Sequence, residues 1–93
     1  MARKLGLAGR GVNQGTVALV TGIARQRVNP VLNGRPGNVS PLQVRRILRA
    51  VDMIVAVPVE EFLRDREKIL LRITRELDKP EPAAGDPQQV VAA

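Results

Sequence analysis

NQGTVALVTGIARQRVNPVLNGR, residues 13–35, reads as two short amphipathic helices joined at Gly22. Val17, Ala18 and Thr21 fall at i, i+1 and i+4 in the first helix. Val28, Val31 and Leu32 fall at i, i+3 and i+4 in the second, with Ile23 between the two. Two narrow apolar stripes therefore face each other. At about 100° per residue, the second helix turns Gln26, Asn29, Pro30 and Asn33 to its outer face and sets Arg25 and Arg27 on the flanks. An outer face of amides and guanidinium groups, without a carboxylate, is what a helix laid in the major groove of duplex DNA presents.

The signals on either side of this stretch fix its limits. Asn13 is an N-cap for a helix over Gln14 to Thr21, and Gly22 takes the left-handed conformation that ends it. The second helix starts near Arg25 behind Ala24, which offers no capping oxygen. Pro30 lies inside this helix and removes the backbone bond to the carbonyl of Gln26, so a kink is expected there. Its ring, turned outward, offers apolar contact to a thymine methyl. Gly34 to Asn38 is a turn cluster, after which Ser40-Pro41 opens the next helix with serine as N-cap and proline at its first position. There Val44, Ile47, Leu48 and Val51 recur at i, i+3, i+4 and i+7. Arg45, Arg46 and Arg49 sit opposite, on a wet basic face turned to phosphate or to solvent alike.

Further out the pattern changes. Met1 to Val12 holds Arg3, Lys4 and Arg10 among Gly6, Gly9 and Gly11, and each glycine disfavours a helix by about 1 kcal/mol relative to alanine. Residues 1–12 therefore read as a flexible basic arm for phosphates or a minor groove, with at most one turn from Arg3 to Leu7. Ile54 to Val57, closed by Pro58, reads as a buried connection or an edge that pairs with its copy in another subunit. Val59 to Leu77 carries Leu63, Leu70 and Leu77 seven residues apart, with Val59, Phe62, Ile69 and Ile73 widening the stripe. Nearly three heptads exceed what a small core needs, which assigns Ile69, Leu70, Ile73 and Leu77 to packing against a second copy of the chain. Residues 78–93, with Pro80, Pro82 and Pro87 and little apolar mass before Val90, read as a disordered tail.

Composition bounds the chemistry. The chain has 93 residues, a net charge of +6, no cysteine and no histidine. A domain of this size buries only about 60% of the surface its unfolded chain exposes, so self-association would help it. Disulfides, thiolate nucleophiles and Cys- or His-based metal sites are excluded, and so is the usual general base near neutral pH. Enzyme, metal and cofactor functions are not expected. From Met1 to Val51 the charged residues are Arg3, Lys4, Arg10, Arg25, Arg27, Arg35, Arg45, Arg46 and Arg49, all basic; from Asp52 onward six basic residues meet nine acidic ones. Fifty residues without a carboxylate suggest a bound polyanion. Phe62 is the only aromatic residue, which disfavours base stacking on single strands and leaves duplex DNA. No run approaches the roughly 18 apolar residues of a spanning helix, so a cytoplasmic, nucleoid-associated protein is expected.

The region from Gln14 to about Leu63 resembles the helix-turn-helix of the lambda-repressor-like (Cro and Xre) DNA-binding proteins. The resemblance rests on Gln14 at the first position, Val17-Ala18, Gly22-Ile23, Val28 and the closing Leu32-Asn33-Gly34. Val57 to Phe62, V-P-V-E-E-F, resembles the opening of that fold's last helix. The spacing V-A-x-x-x-G-I-x-x-x-x-V-N-x-V-L-N-G is also similar to the headpiece of lac-repressor-type regulators. The resemblance implies that Gln14 hydrogen-bonds phosphate or an adjacent base. It implies also that Arg25, Gln26, Arg27 and Asn29 approach base edges and that Asn33 and Arg35 hold the DNA backbone.

The expected fold is all-α, a small helical bundle with a central helix-turn-helix and a longer C-terminal helix. Residues 13–77 form the DNA-binding domain, with a dimerisation helix over 59–77. The expected function is a sequence-specific transcriptional regulator, a repressor binding an inverted repeat of duplex DNA as a homodimer. Two alternatives stay open: an antitoxin-like protein-interaction module that also binds DNA through its front half, and an architectural or DNA-packaging adaptor.

Overall fold

Capping chemistry sets most of the helix boundaries in the computed structural model, which describes the backbone of residues 2–79 and the side chains from Gly6 onward. Six helices follow one another: α1 (Ala2–Gly9), α2 (Gln14–Thr21), α3 (Arg25–Leu32), α4 (Pro41–Val55), α5 (Val59–Arg64) and α6 (Arg66–Leu77). No strand occurs among the described residues, so the all-α bundle holds and Ile54 to Val57 offers no sheet edge. The Asn13 side chain accepts from Thr16 N at 3.0 Å, and Gly22 ends α2 at φ 73° with its N–H on Ala18 O at 2.8 Å. Ser40 caps α4 by accepting from Gln43 N at 3.2 Å, with Pro41 in the first turn. None of the described helices is long and apolar enough to cross a membrane.

The bundle is built on α4, against which α1, α2, α3 and α6 all pack. Its buried stripe of Ile47, Ala50, Val51 and Ile54 meets Val17 and Val20 of α2, Val28 and Val31 of α3, and Ile69, Ile73 and Leu77 of α6 in one core, closed by Phe62 of α5. Burying such side chains contributes about 1.5–3 kcal/mol each, which is how helices of eight residues persist.

Two expectations are corrected by this packing. The basic arm is a helix: Ala2–Gly9 forms α1, Leu7 is 3% exposed and Val12 6%, and both belong to the core. The glycine counted against the helix is what lets it dock. A Cβ on Gly6 would stand 2.7 Å from Val55 Cγ1, so only a residue without a side chain allows α1 this close to α4. The second correction concerns residues 59–77. The chain breaks at Asp65, at φ −116° and ψ 34°, and the heptad leucines do not share a face: Leu63 is 57% exposed and Leu77 3%. Ile69, Ile73 and Leu77 are buried in the chain's own core, with Leu70 packed at its edge, so the four residues assigned to a dimer seam serve the fold instead. A separate α5 turns the chain so that one short α6 stripe closes the core.

Candidate nucleic-acid interface

The turn between α2 and α3 is held from inside by one hydroxyl. Thr21, 3% exposed, donates to Val17 O at 2.8 Å and accepts from Ile23 N at 3.2 Å. With Val28 and Val31 buried below, α3 turns Arg25, Gln26 and Arg27 fully to solvent and leaves Asn29 and Pro30 half-buried. An eight-residue helix is about 12 Å long, close to the width of a major groove.

The far end of α3 closes in a Schellman motif. Gly34, at φ 76°, donates to Val31 O at 3.0 Å, and Arg35 N donates to Pro30 O at 2.8 Å. Pro30, which lacks an N–H for the helix, thus supplies the carbonyl that ends it. The motif sets Arg35 one residue beyond the turn, exposed beside Asn29, Pro30 and Asn33. On the other side of Pro30, a cleft of about 370 Å³ runs between α3 and the α3–α4 loop, lined by Gln26, Arg27, Arg35, Asn38, Ser40 and Gln43 among others. No carboxylate lines either recess.

Side-chain amides tie the helix pair together across this surface. Gln14 Nε2 donates to Asn29 Oδ1 at 2.8 Å, and Asn33 Nδ2 donates to the same oxygen at 2.9 Å. Both lone pairs of Asn29 Oδ1 are therefore engaged, which leaves its Nδ2 as the group it can present. That departs from the two-bond pairing with adenine expected of an asparagine, since that pairing needs the oxygen as acceptor. Asn29 in this state matches an acceptor such as guanine O6 or N7, thymine O4 or a phosphate. Gln14 joins the internal triad at the helix crossing while half-exposed. Arg27 is steadied from α4, its Nη1 donating to Gln43 Oε1 at 3.3 Å. The role of Gln43 was not legible in sequence, because it depends on the distance between two helices.

The basic residues divide into two groups that composition does not distinguish. Arg10 is 9% exposed and faces inward. Its guanidinium donates to Gly6 O, Val55 O and Val57 O at 2.6–3.0 Å, where α4 ends. Arg46 reaches two helix ends at once, Thr21 O of α2 at 2.7 Å and Leu77 O of α6 at 2.9 Å, and pairs with Asp78 at 3.1 Å. Arg49 donates to Glu76 O at 3.3 Å. Arg66 lies 5.7 Å from the centroid of the Phe62 ring and contacts Arg10 O, Gly11 O and Thr16 Oγ1 at 3.4 Å. Cations at helix C-termini meet the negative end of the macrodipole and its unpaired carbonyls. Arg10, read as part of a phosphate arm, is a structural residue, and the basic face of α4 is partly taken up by Arg46 and Arg49. Arg25 and Arg35 make no hydrogen bond or ion pair among the described residues, and Arg27 makes one.

Gln14, Arg25, Gln26, Arg27, Asn29, Pro30, Asn33 and Arg35 thus come together on one continuous face, joined by Gln43, Asn38 and Ser40. Among the described residues no three carboxylates, histidines or cysteines gather where a metal ion would be held. No family model, curated protein or solved structure matches the chain.

Proposed function

We propose that the chain binds duplex DNA through α3 and reads its sequence, acting as a transcriptional regulator of the repressor kind. The observation that carries this reading is the acid-free α3 face, where Arg25, Gln26, Arg27 and Arg35 are exposed while Val28 and Val31 lock the helix to the core. Arg25 and Arg27 suit guanine edges, Gln26 suits adenine, and Asn29 donates through Nδ2; each two-bond pair contributes roughly 1–3 kcal/mol of discrimination. Arg35, fixed by the Schellman turn, suits a phosphate.

Two copies sit on an inverted repeat in this reading, with half-sites about 34 Å apart. Because Ile69, Ile73 and Leu77 are enclosed, pairing falls to the exposed Val59 and Leu63 of α5 and Leu71 of α6. Selection of bound duplexes from a random pool, followed by the mass of the complex, tests the proposal. A single enriched palindrome carrying two chains is expected. A preference over random DNA below about tenfold would overturn it, since specific regulators exceed a thousandfold.

A further inference from the structure

A groove of about 950 Å³ runs along α4, lined by Val44, Leu48 and Met53, with Val39 of the α3–α4 loop on one side and Glu76 of α6 on another. These apolar side chains pack against the core but stay half-exposed. Arg45 and Arg49 line the groove and also a smaller recess that contains Lys79, where the described chain leaves the fold. The exit point is fixed, because Arg46 holds Leu77 O at 2.9 Å and Lys79 Nζ holds Glu76 at 2.9 Å. The two arginines therefore stand between the departing chain and the groove.

We propose that residues 80–93 of the same chain fold back into this groove. Val90-Val91 would rest on Val44, Leu48 and Met53, and the Glu81 carboxylate would lie beside Arg45 and Arg49. The segment PEPAAGDPQQVVAA carries two carboxylates, no cation and one pair of sizeable apolar residues. Its charge is opposite to that of the arginine ridge. Glu76 on the rim is already paired with Lys79, and Asp52 lies toward the C-terminal end of α4, so the acidic residues of the segment favour the ridge. Reach is ample: Val44 to Met53 spans about 14 Å of helix axis, whereas an extended path from Pro80 to Val90 covers about 30 Å. Tethering makes the encounter intramolecular, with an effective concentration in the millimolar range, so a small apolar contact suffices.

Pro36, Gly37 and Val39 line this groove on one side and the α3 cleft on the other. An occupied groove steadies the loop that follows Arg35, a consequence that rests on the DNA reading, while the docking does not. The chain lacks cysteine, so Ala92→Cys places a single nitroxide at the end of the segment. In dilute full-length protein, the label is expected to remove most of the methyl NMR signal of Val44, Leu48 and Met53 while sparing Val59 and Leu63 on α5. Val90→Asp with Val91→Asp in the labelled chain is expected to restore those signals. Weak, even broadening over the whole surface would overturn the proposal. So would broadening seen only when labelled and unlabelled chains are mixed, which would assign the groove to a second copy. The measurement uses no DNA, so failure of docking and failure of the DNA reading are separate results.

Discussion

Replacing Gly6 by alanine adds one methyl group where α1 crosses α4. A Cβ at that position stands 2.7 Å from Val55 Cγ1 and 3.3 Å from Val55 Cβ. Valine is stiff at χ1, so its methyl cannot swing aside without leaving its rotamer. Overpacking of this kind costs about 1–3 kcal/mol, against which alanine recovers about 0.8–1 kcal/mol of helix propensity. The expected net loss is about 1 kcal/mol, a fall in Tm of roughly 4–8 °C for a domain of this size. Gly9, in the same helix, is the internal control. Nothing lies within 4 Å of a Cβ built there, so Gly9→Ala keeps the propensity gain and raises stability by up to about 1 kcal/mol. Adding Val55→Ala to the Gly6→Ala chain makes room for the methyl and yields less than the sum of the two single losses. Thermal and urea unfolding followed by circular dichroism measure all four proteins. Equal rises in Tm for Gly6→Ala and Gly9→Ala, or no change in either, would mean that α1 does not rest on α4.

Further outcomes follow from the two groups of arginines and from the enclosed α6 stripe. Arg10→Met leaves the carbonyls of Gly6, Val55 and Val57 without their donor and is expected to destabilise the fold by at least about 2 kcal/mol, read as a lower urea midpoint at unchanged slope. Ile73→Ala should cost about 2–5 kcal/mol while leaving the mass in sedimentation unaltered, because Ile73 is 3% exposed within its own chain. In binding titrations, Arg25→Ala should reduce discrimination between DNA sequences by about 1–3 kcal/mol. Arg35→Ala should instead weaken every duplex alike and lower the salt slope by about one unit.

Features written in a few adjacent residues were legible before the structure. Asn13, Gly22 and Ser40-Pro41 act within three or four residues of themselves, so their capping roles follow from local geometry alone. The outer face of α3 was equally accessible, since one helical period and the two buried valines define it. What escaped depended on distant partners. Gly6 looks like a helix breaker until Val55 is beside it. Leu63, Leu70 and Leu77 keep a seven-residue spacing that has no consequence once Asp65 breaks the helix. Arg10 and Arg46 have the composition of DNA-facing residues, yet the carbonyls they serve lie 47 and 25 residues away in sequence. Gln43 escaped for the same reason, as did the closed hydrogen-bonding state of the Asn29 oxygen.

The inward guanidinium groups give the molecule an uneven response to electrolyte. Mobile ions screen exposed charges beyond about 10 Å at 0.1 M and 3 Å at 1 M, but they have no access to Arg10 lodged against three peptide oxygens. A concentrated salt wash should therefore strip a bound polyanion from Arg25 and Arg35 while the helices stay joined. The fold and its outward grip on an anion come apart at different ionic strengths.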